Sequence, residues 1–140
     1  MNRIFSFLTI VLMTGSVFAF DHIPQNYTIL TDPAGPAVSA TLGAIHLDQV
    51  DLKECSSFAK YTGDTTLKLG NQIYKLTHVA STTQDICPGD VTFQKFSQVL
   101  LIFENAEFQN QIRFVLDQDS MPMINVILDQ GHVVPGKALN

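Results

Sequence analysis

The chain has 140 residues, 46% of them hydrophobic and 15% charged, with a formal net charge of −5. That length suits one domain, and the apolar fraction excludes a disordered, charge-rich chain. The acidic balance argues against a nucleic-acid surface, which needs an excess of Lys and Arg, and two cysteines are too few for a disulfide-scaffold miniprotein.

Met1 to Ala19 reads MNRIFSFLTIVLMTGSVFA. Arg3 supplies a positive n-region, Ile4 to Met13 is apolar apart from Ser6 and Thr9, and Val17 and Ala19 take the −3 and −1 places of a cleavage site. This pattern predicts a secretory signal peptide over 1–19. The apolar stretch is shorter than the roughly 18–20 residues that cross a bilayer, and no second long apolar run follows, so no membrane span is expected. Cleavage takes Arg3 away, leaving seven basic side chains against thirteen acidic ones, net −6. The mature chain is expected to be exported, periplasmic or extracellular.

Export makes a disulfide between Cys55 and Cys87 the default expectation. Their spacing is not C-x-x-C, and Pro88-Gly89 marks a turn at one end. The closed loop, 33 residues counting both ends, is worth about 3–4 kcal/mol on a chain-entropy model.

Residues 20–36 read as an N-terminal arm and turn-rich linker, with Tyr27–Leu30 a short strand and Thr31-Asp-Pro-Ala-Gly-Pro36 a break. One globular domain is expected over 37–136 and a tail over 137–140. Val38, Ala40 and Leu42 alternate with polar residues, and Gly43 sits at a parity shift, as a bulge or bend requires. Residues 49–60 predict a short helix, because Leu52, Cys55, Phe58 and Ala59 fall at i, i+3, i+6 and i+7 and Asp51/Glu54 have the capping-box offset. Thr65–Val79 predicts a hairpin about Gly70-Asn71, with glycine first as a type II′ turn prefers. Residues 80–90 read as a loop, and 91–98 fits a helical turn or a strand equally. Val99–Phe103 is a buried strand by composition, residues 112–116 alternate, and 123–128 and 132–134 complete the strands, with Pro135-Gly136 ending the last one. Spacings of about 8–12 residues between strand centres favour antiparallel connections over βαβ units. The fold expected is mainly β: an antiparallel sheet, sandwich or small barrel with one short helix. The alternative is α+β, with a helix packed on one face of the sheet.

No nucleophile elbow, H-E-x-x-H, P-loop or dinucleotide fingerprint is present, and no cofactor is implied. Asp48/Asp51 and Asp117/Asp119 lie where Asp is favoured for local turn bonding. Asn26-Tyr27-Thr28 is an N-x-T sequon. Phe103 and Phe108 flank the predicted hairpin turn Glu104–Glu107, which makes Phe108, and with it Phe103, the candidate contact residues, aromatics being enriched in interface hot spots. The function expected is a small exported, non-catalytic binding protein: an inhibitor, an envelope accessory or a secreted factor. Its partner is a protein, and the acidic balance favours a basic one. The alternative is a metal-dependent or carboxylate hydrolase built on His46 and His78 with His132 or Asp129 as a further ligand.

Overall fold

A computed structural model describes residues 22–53, 55–89 and 92–139; the predicted signal peptide lies outside them. The described residues form nine strands: β1 (Asn26–Ile29), β2 (Val38–Leu42), β3 (Phe58–Lys60), β4 (Thr66–Leu69), β5 (Gln72–Ser81), β6 (Gln98–Asn105), β7 (Asn110–Asp117), β8 (Met123–Ile127) and β9 (Val133–Ala138). Every pairing between them is antiparallel. β1, β2 and β4 to β9 neighbour one another in chain order, and β9 returns to β1, so eight strands close into a barrel. β3 is an extra strand on the C-terminal half of β5, beyond the end of β4. Closure satisfies the edge N–H and C=O groups that an open sheet leaves unpaired.

Period-2 patterning sets which side chains point in. On β7, Ile112, Phe114 and Leu116 are buried and Arg113 is exposed; on β9, Val134, Gly136 and Ala138 face inward. Eight strands leave an interior that side chains can fill. Here Tyr27, Ile29, Leu42, Leu67, Leu76, Leu101, Phe103, Phe114 and Leu116 fill it, each fully buried. Phe114 is central, meeting Tyr27 and Phe103 edge to face at centroid distances of 5.1 and 5.2 Å. Gly136 sits in close packing. A Cβ there would come within 3.0 Å of Ile124 Cγ1 and 3.3 Å of the Thr28 carbonyl.

One mouth is crossed by tight connections. Gly70, at φ +59°, takes the first central place of the turn joining β4 to β5, the conformation expected of a type II′ turn. The other mouth is covered by two long connections, 43–65 and 82–97, which contribute Val50, Tyr61, Ile86, Phe93 and Phe96 to the core. The Cys55–Cys87 disulfide ties these connections together, beside reciprocal backbone bonds between Ser56 and Ile86.

Among the described residues the helix predicted over 49–60 is absent, and no helix packs on the sheet as the α+β alternative required. A 3-10 turn at Leu47–Gln49 is followed, among the described residues, by isolated bridges at Val50 and Ser56 and then by β3. Tertiary bonds override the local periodicity: Asp51 N–H donates to the Lys60 carbonyl and Thr62 N–H to that of Gln49. Ser56 Oγ accepts from the Phe58 N–H at 3.1 Å, a local bond that competes with a helix. The ambiguous 91–98 segment contains a 3-10 turn at Phe93–Lys95. β5 runs on to Ser81, into the segment read as a loop, and β9 runs through Pro135-Gly136 rather than stopping there. Proline is tolerated because the Pro135 carbonyl, and hence its missing N–H, faces Leu30, just past the end of β1.

Candidate functional site

The outer wall carries the least expected feature. Register places Phe58 opposite Ala80, Ala80 opposite Leu100, and Leu100 opposite Val115. Four apolar side chains therefore stand in one row across β3, β5, β6 and β7, all pointing away from the core. Three inter-strand steps make the row about 14 Å wide. Phe58 is 51% exposed, Leu100 and Val115 are partly exposed, and Ala80 is covered by its neighbours. Ile102, one outward position further on β6 between His78 and Arg113, is itself buried.

A bulge aims this row. Leu76 pairs with Phe103 and His78 with Ile102, so Thr77 is an extra residue in β5. The inserted residue shifts parity: Leu76 and Val79 both reach the interior while His78 and Ala80 turn outward. Thr77 Oγ1 donates to the Ile102 carbonyl at 3.3 Å and lies 3.0 Å from His78 Nδ1. The His78 ring stacks on Phe58, with centroids 4.4 Å apart. Burial holds the His78 pKa below the usual imidazole value; Glu104 raises it and Lys60 adds to the lowering.

The row has a cationic border and a mixed polar one. Lys60 and Arg113 lie on the first, with His78 and Ile102 between them. Gln98 and Asp117 pair on the second, and Gln98 accepts from Thr82 Oγ1 at 2.7 Å. More widely, the strands carry Lys60, Lys68, Lys75, Arg113 and Lys137 but only Glu104 and Asp117 among the acids. The other carboxylates belong to the connections and the N-terminal segment.

The predicted contact residues separate. Phe108 is 57% exposed in the Ala106–Gln109 loop between β6 and β7. Buried Asn105 fixes that loop, donating to the Ile73 carbonyl at 3.0 Å and accepting from the Phe108 N–H at 3.0 Å. Phe103 faces the interior and is fully buried, because it shares the parity of Val99 and Leu101; it is a core residue and cannot serve as a surface contact.

The three histidines of the hydrolase alternative are not brought together. His46 is on the connection over the disulfide-tied mouth, His78 is on the outer wall, and His132 is in the turn before β9. Among the described residues no three His, Cys, Asp or Glu side chains gather as a metal site. Asp51 and Asp117 each accept from a backbone N–H two residues on.

A cleft of about 330 Å³ opens at the disulfide-tied mouth, between the His22–Gln25 arm, Gly43–Leu47 and Phe93. A hydrogen-bond chain reaches its edge at Ala44. His46 N–H donates to the Tyr61 hydroxyl, Tyr61 donates to Thr65 Oγ1, and Thr65 donates to the Ala44 carbonyl. The lining is mixed, with Ile23, Ala44, Ile45, Leu47 and Phe93 apolar and His22 and Gln25 polar.

The class defined by this architecture is a mainly β protein, an antiparallel eight-stranded closed barrel with one extra strand and one disulfide. Comparison of the chain with family models, with characterised proteins and with solved structures finds no match.

The outward row is the part that sequence reasoning missed. A signal for it exists in Val99-Leu-Leu-Ile-Phe103, which does not alternate. A strand with water on one face alternates, whereas an unbroken apolar run implies that both faces meet apolar surroundings.

Proposed function

We propose that the chain is a small exported binding protein without a catalytic role, contacting another macromolecule through the outer wall of its barrel. The observation that carries this reading is the Phe58–Ala80–Leu100–Val115 row, an apolar stripe with polar borders on the outside of a barrel whose interior is filled. Contiguous outward apolar surface rimmed by polar groups marks interaction sites. Export fits the disulfide and the signal-like first 19 residues. The partner is a protein. The stripe supplies the apolar centre of the contact, and Lys60, Arg113, Gln98 and Asp117 supply its charged and polar border.

The test immobilises the oxidised chain and compares it with Leu100→Asp, Phe58→Ser and Phe108→Ala, using envelope extracts of the source organism. Retention of a macromolecule at physiological salt by the native chain and by Phe108→Ala, with loss in Leu100→Asp and Phe58→Ser, is the expected outcome. Retention that depends on Phe108 alone moves the site to the hairpin tip, and a chain that retains nothing and also stays single in solution removes the reading.

A further inference from the structure

We propose that the stripe seats a second copy of this chain, in an isologous dimer whose two-fold axis runs along the row Phe58–Ala80–Leu100–Val115. This rests on the reading of the stripe as a protein-contact surface and names its occupant.

The borders of the row complement each other under a two-fold rotation. On β7 the outward side chains run Arg113, Val115, Asp117. Within one chain Arg113 and Asp117 are four residues apart, about 13 Å along the strand, too far to pair. Arg113 Nε instead donates to Gln111 Oε1 at 2.7 Å, and Asp117 accepts from the Asp119 N–H and from Gln98. A two-fold axis along the row reverses the strand direction of the facing copy and leaves the row on itself. Arg113 then faces the partner's Asp117, and Asp117 faces the partner's Arg113. Val115 meets the partner's Val115, and Leu100 the partner's Leu100. On β6 the polar Gln98 faces the partner's Ile102, so no like charges oppose each other on β6 or β7. Such i-to-j, j-to-i complementarity is what an isologous interface demands.

A barrel wall is convex, so the contact belongs with small interfaces of less than about 1,200 Å² in total. The association expected is therefore weak, with a Kd in the micromolar range or above.

Sedimentation equilibrium of the oxidised protein, at concentrations up to about 1 mM, tests the proposal. The average mass is expected to rise towards twice the chain mass. Val115→Asp should stay at the mass of one chain, and Arg113→Asp should weaken association by about tenfold or more by setting two carboxylates face to face. The double variant Arg113→Asp/Asp117→Arg restores both pairs and should recover most of the loss. Because both positions lie on the barrel's outer surface, this charge swap tests the interface even if Val115→Asp fails to fold.

A native protein that keeps the mass of one chain at every concentration overturns the proposal, as does a double variant no better than Arg113→Asp. If the native chain stays single yet retains another macromolecule that Leu100→Asp loses, the second copy is wrong and the protein-contact reading stands. If it neither associates nor retains anything, both fall.

Discussion

Phe58 and His78 stack with their ring centroids 4.4 Å apart and their planes 19° from parallel, a contact between residues twenty positions apart made by the pairing of β3 with β5. Neither strand presents this face without the other. β3 exists because the connection from β2 to β4 is held down at both ends, by the disulfide near Cys55 and by the bonds linking Gln49 and Asp51 to Thr62 and Lys60.

The stack gives the fold an acid-sensitive element. Burial lowers the His78 pKa below its unfolded value near 6.5. The neutral ring is then the form that the folded state prefers, and the unfolded chain binds more protons between the two pKa values. The contribution is fully present above the unfolded value and is lost as pH falls through the folded one. Thermal melts from pH 7.5 downward should show stability declining below about pH 6.5, with a shallower decline in His78→Gln. A slope unchanged by that substitution would assign the acid sensitivity to other groups.

Tyr27 is a second informative position. Its ring is fully buried against Phe114, and its hydroxyl has no hydrogen-bond partner among the described residues. Burial also pushes its phenol pKa up. An unpaired buried hydroxyl costs about 1–3 kcal/mol. Tyr27→Phe is therefore expected to leave stability unchanged or raise it by up to about 2 kcal/mol, measured by denaturant unfolding. A clear loss would mean that the hydroxyl has a partner in solution.

The disulfide holds two connections that cover one mouth of the barrel. Replacing both cysteines, as Cys55→Ser/Cys87→Ser, should cost about 2–5 kcal/mol. Hydrogen exchange should speed up at Ile86 and Ser56, whose N–H groups make the adjacent bridge, before it changes at Leu101 in the barrel wall. Uniform acceleration along the chain would show that the cover and the barrel unfold together.

Much of the barrel is legible in the sequence. Ile112-Arg-Phe-Val-Leu116 alternates, and its buried residues are the ones that face the interior; Gly70-Asn71 announces its turn. Three features are not legible, each for a physical reason. The helical spacing of Leu52, Cys55, Phe58 and Ala59 loses to long-range bonds that no window of local sequence contains. The bulge at Thr77 is set by pairing with β6, so the outward turn of His78 and Ala80 follows from a partner strand some 25 residues away. The separation of Phe103 from Phe108 depends on where β6 ends, because the connection falls at Ala106–Gln109 rather than 104–107. The candidate site was visible only as an anomaly, the unbroken run at 99–103, since one strand does not reveal which residues stand beside it on three others.

The most direct test of the account compares two adjacent leucines of β6. Leu101 points into the core and is fully buried, whereas Leu100 belongs to the outward row. Thermal melting and partner retention would be measured for Leu100→Asp and Leu101→Asp side by side. Leu101→Asp should unfold the barrel, while Leu100→Asp should melt within a few degrees of the native protein and lose its partner. Equal unfolding by both substitutions would place Leu100 in the core, and a folded Leu100→Asp that retains the native partner would show that the row is not the contact surface.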